Sequence, residues 1–227
     1  MRTLDVGCGP GALTKAVAQR VGAERIAAVD QSEEYAEACR RRVPGADVRV
    51  GAGEDLPFED GGFDAVLSQL VVQAFEDAPL AAREMLRVAV AGGTLAACVW
   101  DFREGMPLFV SYWAAARAVD PEGARQAGGD TTNPWCTRDG LQRLWHQAGA
   151  EEVETGELSA STEYDGLDDA FWSFEAGVGF SGEYYSSLNE DRQKALREEF
   201  HRELGSPDGP FRLTARAWAV RGRAPTT

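Results

Sequence analysis

The chain has 227 residues, 44% of them hydrophobic, and a formal net charge of −14. This size suffices for one sizeable core, so we predict a single domain over residues 1–227. The acidic balance excludes a broad nucleic-acid surface, which requires clustered Lys and Arg. No apolar run has the length of a membrane span and no signal peptide precedes the first predicted strand, which favours a cytoplasmic protein without a membrane partner.

The cysteine pattern argues against a metal centre. The four cysteines are Cys8, Cys39, Cys98 and Cys136. They form no C-x-x-C pair and no other spacing that is typical of metal ligands. We therefore expect reduced thiols and no metal, and the sequence gives no basis for assigning an oligomeric state.

Strand and helix patterns alternate in the first half of the chain. The predicted strands cover residues 3–6, 25–29, 47–50, 63–67 and 93–100, and the predicted helices cover residues 12–20, 32–42 and 79–88. Ser32 is a suitable N-cap, because two acidic residues follow it in the first helical turn. Such alternation predicts a parallel, doubly wound α/β sheet.

The second half has a less regular pattern. Predicted helices cover residues 107–120 and 137–148, a loop covers residues 121–132, and predicted strands cover residues 151–158 and 211–221. Between these two strands, residues 160–205 predict a cap of two helices, the second starting at Asn189. We thus predict a seven-stranded, mostly parallel, Rossmann-like sheet with a helical cap before its last strand. Residues 101–135 and 160–205 are the expected cap and substrate segments.

Three alternate glycines, Gly7, Gly9 and Gly11, lie between the first predicted strand and the first predicted helix. Glycine permits a tight turn and lets a ligand approach the backbone, because it has no Cβ. A strand, a glycine-rich loop and a helix in this order are typical of a nucleotide-binding crevice. The spacing also satisfies the loose fingerprint of NAD-binding proteins, so other residues have to decide which nucleotide binds.

Asp5 and Pro10 favour a cofactor without phosphates. In a dinucleotide site, free backbone N–H groups at the helix start receive the pyrophosphate, and Pro10 removes one such donor. The Asp5 carboxylate would repel phosphates, by roughly 4 kcal/mol at about 4 Å for an effective dielectric near 20. S-Adenosylmethionine carries an ammonium and a sulfonium but no phosphate, and it therefore suits this loop better than NAD.

Asp30 ends the second predicted strand, nineteen residues after Gly11. A carboxylate there can accept hydrogen bonds from both ribose hydroxyls, in NAD sites and in S-adenosylmethionine sites alike. Its alternative role is that of a helix-capping acid before Ser32. We prefer the ribose ligand.

Several short motifs occur in an order that resembles the class I S-adenosylmethionine-dependent methyltransferases, specifically the methyltransferase type 11 group. The motifs are LDVGCGPG at residues 4–11, VDQS at 29–32, GAGEDLPF at 51–58, FDAVLSQ at 63–69, EMLRV at 84–88 and AGGTL at 91–95. The resemblance makes residues 1–100 the cofactor-binding half. It implies S-adenosyl-L-methionine as cofactor and methyl transfer to a small-molecule acceptor by in-line displacement.

The resemblance also implies particular cofactor contacts. They are Asp5, Gly7, Gly9, Gly11, Asp30, Gln31, Gly53, Glu54 and Ser68, with Gln69 placed against the substrate. Relatives often carry an acid where Ala52 stands, and this acid accepts a hydrogen bond from the adenine amino group. The backbone at Gly53 or the side chain of Glu54 has to substitute here, and the alternative for Glu54 is a solvated loop acid.

A second departure from the family lies at the start of the chain. Relatives usually have a few dozen residues before the glycine motif, including a helix that helps to close the cofactor pocket, whereas the motif here begins almost at Met1. Two interpretations follow: a native N-terminal segment is missing, or residues 160–205 compensate for it. This departure bears on cofactor affinity more than on the fold.

Aromatic residues favour an apolar or aromatic acceptor. Trp100 ends the fifth predicted strand, at the sheet edge where ligands bind in open α/β folds. More rings lie in the segments expected to cover this edge: Tyr112, Trp113, Phe171, Trp172, Phe174, Tyr184 and Tyr185. Most of these rings are expected to form the core of the cap. As a hypothesis, Trp100 and Trp113 line the acceptor site.

No catalytic residue is assigned, because aligning the two reactants alone can lower the activation free energy of methyl transfer by roughly 7–11 kcal/mol in favourable cases. His146 and His201 lie amid polar residues on predicted helices, so we expect surface positions for both. A small-molecule methyltransferase is the preferred function. The alternatives are an NAD-dependent oxidoreductase and a non-catalytic S-adenosylmethionine-binding protein, the latter favoured by Ala52 and the absent lid.

Overall fold

The computed structural model describes residues 1–128 and 133–226. Its strands are β1 (Thr3–Val6), β2 (Ile26–Asp30), β3 (Asp47–Val50), β4 (Phe63–Gln69), β5 (Ala89–Trp100), β6 (Glu151–Tyr164) and β7 (Phe211–Arg223). They form one seven-stranded sheet in the order β3-β2-β1-β4-β5-β7-β6. The helices are α1 (Ala12–Val21), α2 (Glu33–Arg42), α3 (Ala78–Val88), α4 (Pro107–Val119), α5 (Pro121–Gln126), α6 (Arg138–Ala148), α7 (Leu167–Glu175), α8 (Gly179–Ser187) and α9 (Glu190–Glu203).

The first five strands are parallel, and their register brings the functional ends of three strands together. Asp5 on β1 pairs with Ala28 on β2 and with Leu67 on β4. The carboxyl ends of β1, β2 and β4 therefore meet at one edge, with the glycine loop between β1 and α1. Strands β6 and β7 run antiparallel, because the residue numbers of contacting pairs change in opposite directions: Glu154 pairs with Arg221 and Ser161 with Thr214.

The chain divides into two compact units. The first contains Met1–Val99, Pro134–Leu158 and Ala217–Thr227, and the second contains Trp100–Asn133 and Ser159–Arg216. The apolar residues of β1, β2 and β4 are almost fully buried in the first unit, except for the half-buried Leu67 on β4, as expected for parallel strands that are covered on both faces. The core of the second unit is largely aromatic, with Tyr112, Phe171, Phe174 and Phe200 buried together.

The predicted fold class is confirmed. The seven-stranded, mostly parallel sheet is present, and helices precede its last strand as expected. Local signals explain the accurate boundaries: Ser32 caps α2 by accepting a hydrogen bond from the Tyr35 N–H, and Asn189 caps α9 in the same way.

Three details of the predicted second half are wrong. The loop predicted over residues 121–132 contains α5, because Asp120 is an N-cap for Gly123 and Pro121 occupies the first helical position; residues 129–132 lie outside the described part. Strand β6 continues to Tyr164 instead of ending at residue 158. The cap has three helices where two were predicted, because α8 is rich in Gly and Ser and has little amphipathic pattern.

None of the helices in the described ranges combines the length and apolar character that a membrane span needs.

Arg87 on α3 ties this helix to the loop before β4. Its guanidinium donates to both carboxylate oxygens of Glu84, to the Asp60 carboxylate, and to the backbone carbonyls of Leu56 and Phe58. The side chain is 31% exposed, and that of Glu84 is 16% exposed. Removing the guanidinium leaves Glu84 with the Leu56 N–H as donor and the Leu56 carbonyl with the Phe58 N–H, whereas the Phe58 carbonyl loses its donor.

We therefore expect Arg87→Ala to lower the free energy of unfolding by about 2–3 kcal/mol. Arg83, which is exposed on the same helix, is the matched control, and Arg83→Ala should change stability by less than about 0.5 kcal/mol. Chemical denaturation of both variants checks this expectation. Equal stability losses in the two variants would show that the Arg87 network contributes little.

Candidate functional site: the crevice at the glycine loop

The glycine loop has a backbone conformation that other residues adopt with strain. Gly7, Gly9 and Gly11 have φ values of 72°, 52° and 84°, in the left-handed region that glycine tolerates. The N–H groups of Gly7 and Cys8 both donate to the Val29 carbonyl, at 2.8 and 3.0 Å. The loop is thereby held against the end of β2.

Asp30 connects the glycine loop to the start of α2. One carboxylate oxygen accepts a hydrogen bond from the Gly9 N–H at 2.8 Å, and the other accepts from the Ser32 N–H at 2.9 Å. The side chain is buried but borders the crevice. Each oxygen keeps a further lone pair, so the capping contact to Ser32 and a ribose contact are compatible.

Asp5 is a fully buried carboxylate behind the same loop. Its Oδ2 accepts a hydrogen bond from the Thr14 hydroxyl at 2.6 Å, whereas its buried Oδ1 has no hydrogen-bond partner. Burial raises the pKa of Asp5 to about 6, although the Thr14 hydrogen bond lowers it in part. An unpaired buried acceptor is costly unless a ligand supplies the donor.

A cavity of about 200 Å³ opens beside the loop. Its walls include five of the predicted contacts, namely Gly7, Gly9, Asp30, Gln31 and Gly53. Four non-glycine residues that were not predicted as contacts line the same cavity: Tyr35, Val71, Ala74 and Phe75. Phe75 packs so closely on Gly53 that an added Cβ would lie 2.5 Å from its ring. No local sequence signal marks these four residues, because they reach the cavity through tertiary packing.

Three predicted contacts line neither this cavity nor the larger one described below: Asp5, Gly11 and Glu54. Glu54 accepts a hydrogen bond from the Asp77 N–H at 3.1 Å, at the start of α3, and does not line the cavity. Gly11 supports the loop by packing against Cys39.

Ser68 and Gln69 line a second, larger cavity of about 430 Å³ at the end of β4. The Ser68 hydroxyl is buried and has no hydrogen-bond partner. Most of the surrounding wall is apolar and comes from Leu13, Leu67, Ala96, Ala97, Leu158, Ala219 and Val220. All these residues belong to the first unit.

The two tryptophans of the acceptor hypothesis belong to the second unit. Trp113 is 7% exposed in its aromatic core, with its ring stacked on Phe180 at 5.7 Å. Trp100 is half-buried at the end of β5. His146 is exposed, and His201 is half-buried with its Nε2 3.2 Å from the Pro207 carbonyl.

The residues present fit S-adenosylmethionine. Asp5 offers a free anionic acceptor for an ammonium, Asp30 offers acceptors for ribose hydroxyls, and an added Cβ at Gly9 would meet open space. Pro10 leaves the loop with one backbone donor fewer for a phosphate. The geometry defines a Rossmann-like domain whose crevice suits a cationic nucleoside.

Comparison with known proteins identifies the family. A family model described as methyltransferase domain matches residues 4–97. A demethylmenaquinone methyltransferase of Roseiflexus castenholzii is 31% identical over 164 residues, which are 67% of this chain and 68% of that protein. A malonyl-[acyl-carrier protein] O-methyltransferase of Geobacter sulfurreducens is 34% identical over 156 residues, which are 67% of this chain and 57% of the relative. The chain belongs to the class I S-adenosylmethionine-dependent methyltransferases.

A solved structure supports the fold. The phosphoethanolamine N-methyltransferase 2 of Haemonchus contortus, in complex with S-adenosyl-L-methionine, has a TM-score of 0.59 and 15% identity. The match covers all of this chain (100%) and 49% of that one. At this level of identity the similarity concerns the fold alone.

Proposed function

We propose that this chain binds S-adenosylmethionine in the crevice at the glycine loop and transfers its methyl group to a small-molecule acceptor. The observation that carries the proposal is the buried Asp5 carboxylate, whose Oδ1 has no partner. The free acceptor matches the ammonium of the methionine moiety. When bound, the cofactor supplies a methyl group made electrophilic by its sulfonium.

The side chains around the crevice divide the binding task. Asp30 is oriented by the N–H groups of Gly9 and Ser32 and would hold the ribose hydroxyls. The Phe75 ring and the Gly53 backbone would enclose the adenine, in place of the acid that Ala52 does not provide. Glu54 is engaged by Asp77, so we assign it to the loop structure. Asp5 and Ser68 would hold the methionine end.

The proposed acceptor is a small molecule with an apolar or aromatic part. The larger cavity supports this choice, because Ser68 and Gln69 meet a mostly apolar wall there, and ligand pockets commonly combine apolar walls with a few polar groups. The names of two relatives, which methylate demethylmenaquinone and a malonyl-acyl carrier, agree with acceptors that have apolar parts. Gln69, Trp100 and Trp113 stay predicted acceptor contacts, and a cytoplasmic location stays a prediction from the sequence.

The reaction needs no acid–base residue when the acceptor atom is already nucleophilic. The crevice would fix the donor, and the apolar cavity would align the acceptor, which supplies proximity and exclusion of water. Family membership removes the NAD-dependent alternative. Binding without catalysis is the alternative that an activity assay has to exclude.

A methyl-transfer screen tests the proposed activity. The chain is incubated with methyl-labelled S-adenosylmethionine and panels of quinols, phenols, acyl thioesters and polar amines. We expect labelled product from apolar acceptors, and loss of product in Asp30→Ala. Tight cofactor binding without transfer to any acceptor class would favour the non-catalytic alternative.

A further inference from the structure

The segment that joins β4 to α3, residues 70–77, forms one wall of the cofactor crevice, and we call it the strap. Its Val71 and Phe75 side chains line the crevice. Val71 packs against Gly7 and Phe75 packs against Gly53, so closely that an added Cβ at either glycine would overlap with the strap side chain. The strap thus contacts both the glycine loop and the loop that would face the adenine.

Hydrogen bonds attach the strap to the rest of the first unit at both of its ends. At the start, the Leu70 N–H donates to the Cys98 carbonyl on β5 at 2.8 Å, which extends the pairing of β4 with β5. At the end, the Asp77 N–H donates to the Glu54 carboxylate at 3.1 Å, and this second hydrogen bond is exposed. Exposed hydrogen bonds in loops open at a lower free-energy cost than those within a sheet. The Glu54 end is therefore the one that can release.

The crevice has to widen when a molecule of the size of S-adenosylmethionine enters. Its cavity has a volume of about 200 Å³, whereas pockets for drug-sized ligands have about 300–1,000 Å³. Two other wall residues are tied to β2: the Gly7 N–H donates to the Val29 carbonyl at 2.8 Å. The Gly51 N–H donates to the Asp30 carbonyl at 3.0 Å. Leu70, at the attached end of the strap, has φ at 62°, an uncommon conformation of the kind that occurs in ligand clamps and switch regions. The strap is therefore the wall that we expect to move.

We propose that the strap opens to admit the cofactor and that Glu54 is the positioning residue that holds it closed. This role rests on the proposed function, which assigns the crevice to S-adenosylmethionine. Glu54 acts through other residues, because its hydrogen bond fixes the Asp77 end of the strap. The fixed strap holds the Phe75 ring against Gly53, where the adenine would lie. Breaking the hydrogen bond frees this wall while Leu70 keeps the strap attached to β5, so the cofactor enters and leaves faster.

Hydrogen exchange and binding kinetics of Glu54→Ala in the full chain test this role. Without the carboxylate, we expect the backbone amides of the strap to exchange about fivefold to tenfold faster than in the parent chain, with unchanged exchange in β1. S-Adenosylhomocysteine should associate about threefold faster and dissociate about tenfold faster. The faster association separates a gate from a merely structural role, because a general loss of stability lowers affinity without speeding entry.

Two variants serve as controls. Glu54→Gln keeps an oxygen that can accept the Asp77 N–H, so it should restore most of the parent's exchange and binding rates. Asp55→Ala removes the same charge from the neighbouring exposed side chain and should behave like the parent. Strap exchange in Glu54→Ala at the parent's rate, or cofactor association that is no faster, overturns the inference. A folded parent chain that does not bind S-adenosylhomocysteine contradicts the proposed function instead, whereas the exchange comparison judges the strap without any cofactor.

Discussion

Asp5→Asn is expected to make the protein without cofactor more stable at pH 7.5 and to remove most of its cofactor affinity. Burial raises the pKa of Asp5 to about 6 from 3.8, so keeping this group ionised in the folded protein costs free energy. The difference between these two pKa values corresponds to a loss of at most about 3 kcal/mol in the free energy of unfolding. The amide has no charge to desolvate and can still accept the hydrogen bond from Thr14.

The sign of the pH dependence follows from the raised pKa. Between about pH 4 and pH 6 the unfolded chain has lost the Asp5 proton while the folded protein retains it, so this group's contribution to stability falls as pH rises. Above about pH 6 the contribution is constant. The stabilisation by Asp5→Asn should accordingly be larger at pH 7.5 than at pH 4.5, as measured by chemical denaturation.

Cofactor affinity should change in the opposite direction. An Asn amide at this position offers no charge to the ammonium, and we expect the dissociation constant of S-adenosylhomocysteine to rise about tenfold to hundredfold. Asp208→Asn removes the same charge from an exposed loop and should leave both stability and affinity nearly unchanged. An Asp5→Asn variant that is less stable and still binds would contradict the role assigned to Asp5.

Two glycine substitutions should separate folding from binding. At Gly11, an added Cβ would lie 2.8 Å from Cys39 Sγ and 3.2 Å from the Cys39 Cα, with φ at 84°. At Gly9 the added Cβ meets nothing within 4 Å, and φ is 52°. We expect Gly11→Ala to cost about 2–4 kcal/mol of stability through overpacking and backbone strain, and Gly9→Ala only about 1 kcal/mol through strain.

Among molecules that stay folded, we expect Gly9→Ala to lose more cofactor affinity than Gly11→Ala, which is the reverse of their order in stability loss. The Gly9 methyl would occupy space in the crevice that the cofactor needs, so we expect at least a tenfold loss of S-adenosylhomocysteine affinity in a folded protein. Thermal denaturation and calorimetry on both variants check the pair. A Gly9→Ala protein that binds as well as the parent would show that the cofactor does not approach this part of the loop.

The sequence carried enough local information to predict the fold and the base of the site. Strands β1 and β3 match their predicted bounds, because turn and loop residues bound short apolar or alternating runs. Strand β5 starts at Ala89 and not at the predicted residue 93. Its register with β4 shifts between Phe63 and Ala65, and Gly92 with φ 71° accommodates the irregularity.

The walls of the crevice could not be predicted, for a physical reason. Val71 and Phe75 come from the segment after β4, where no periodic pattern or capping signal indicates their direction. Leu70, just before them, has φ at 62°, an uncommon conformation for a residue with a large side chain. Only tertiary packing fixes such positions. The hydrogen bond that Glu54 accepts from the Asp77 N–H also joins residues far apart in the chain, so no local pattern could predict it.

Calorimetry of the reduced chain with S-adenosylhomocysteine and, separately, with NADH tests the central claim most directly. We predict saturable binding of S-adenosylhomocysteine at one site per chain, weakened by both Asp5→Asn and Asp30→Ala, and no heat of binding with NADH. Binding of NADH, or no binding of S-adenosylhomocysteine by the folded chain, would contradict the assignment of the glycine-loop crevice to this cofactor.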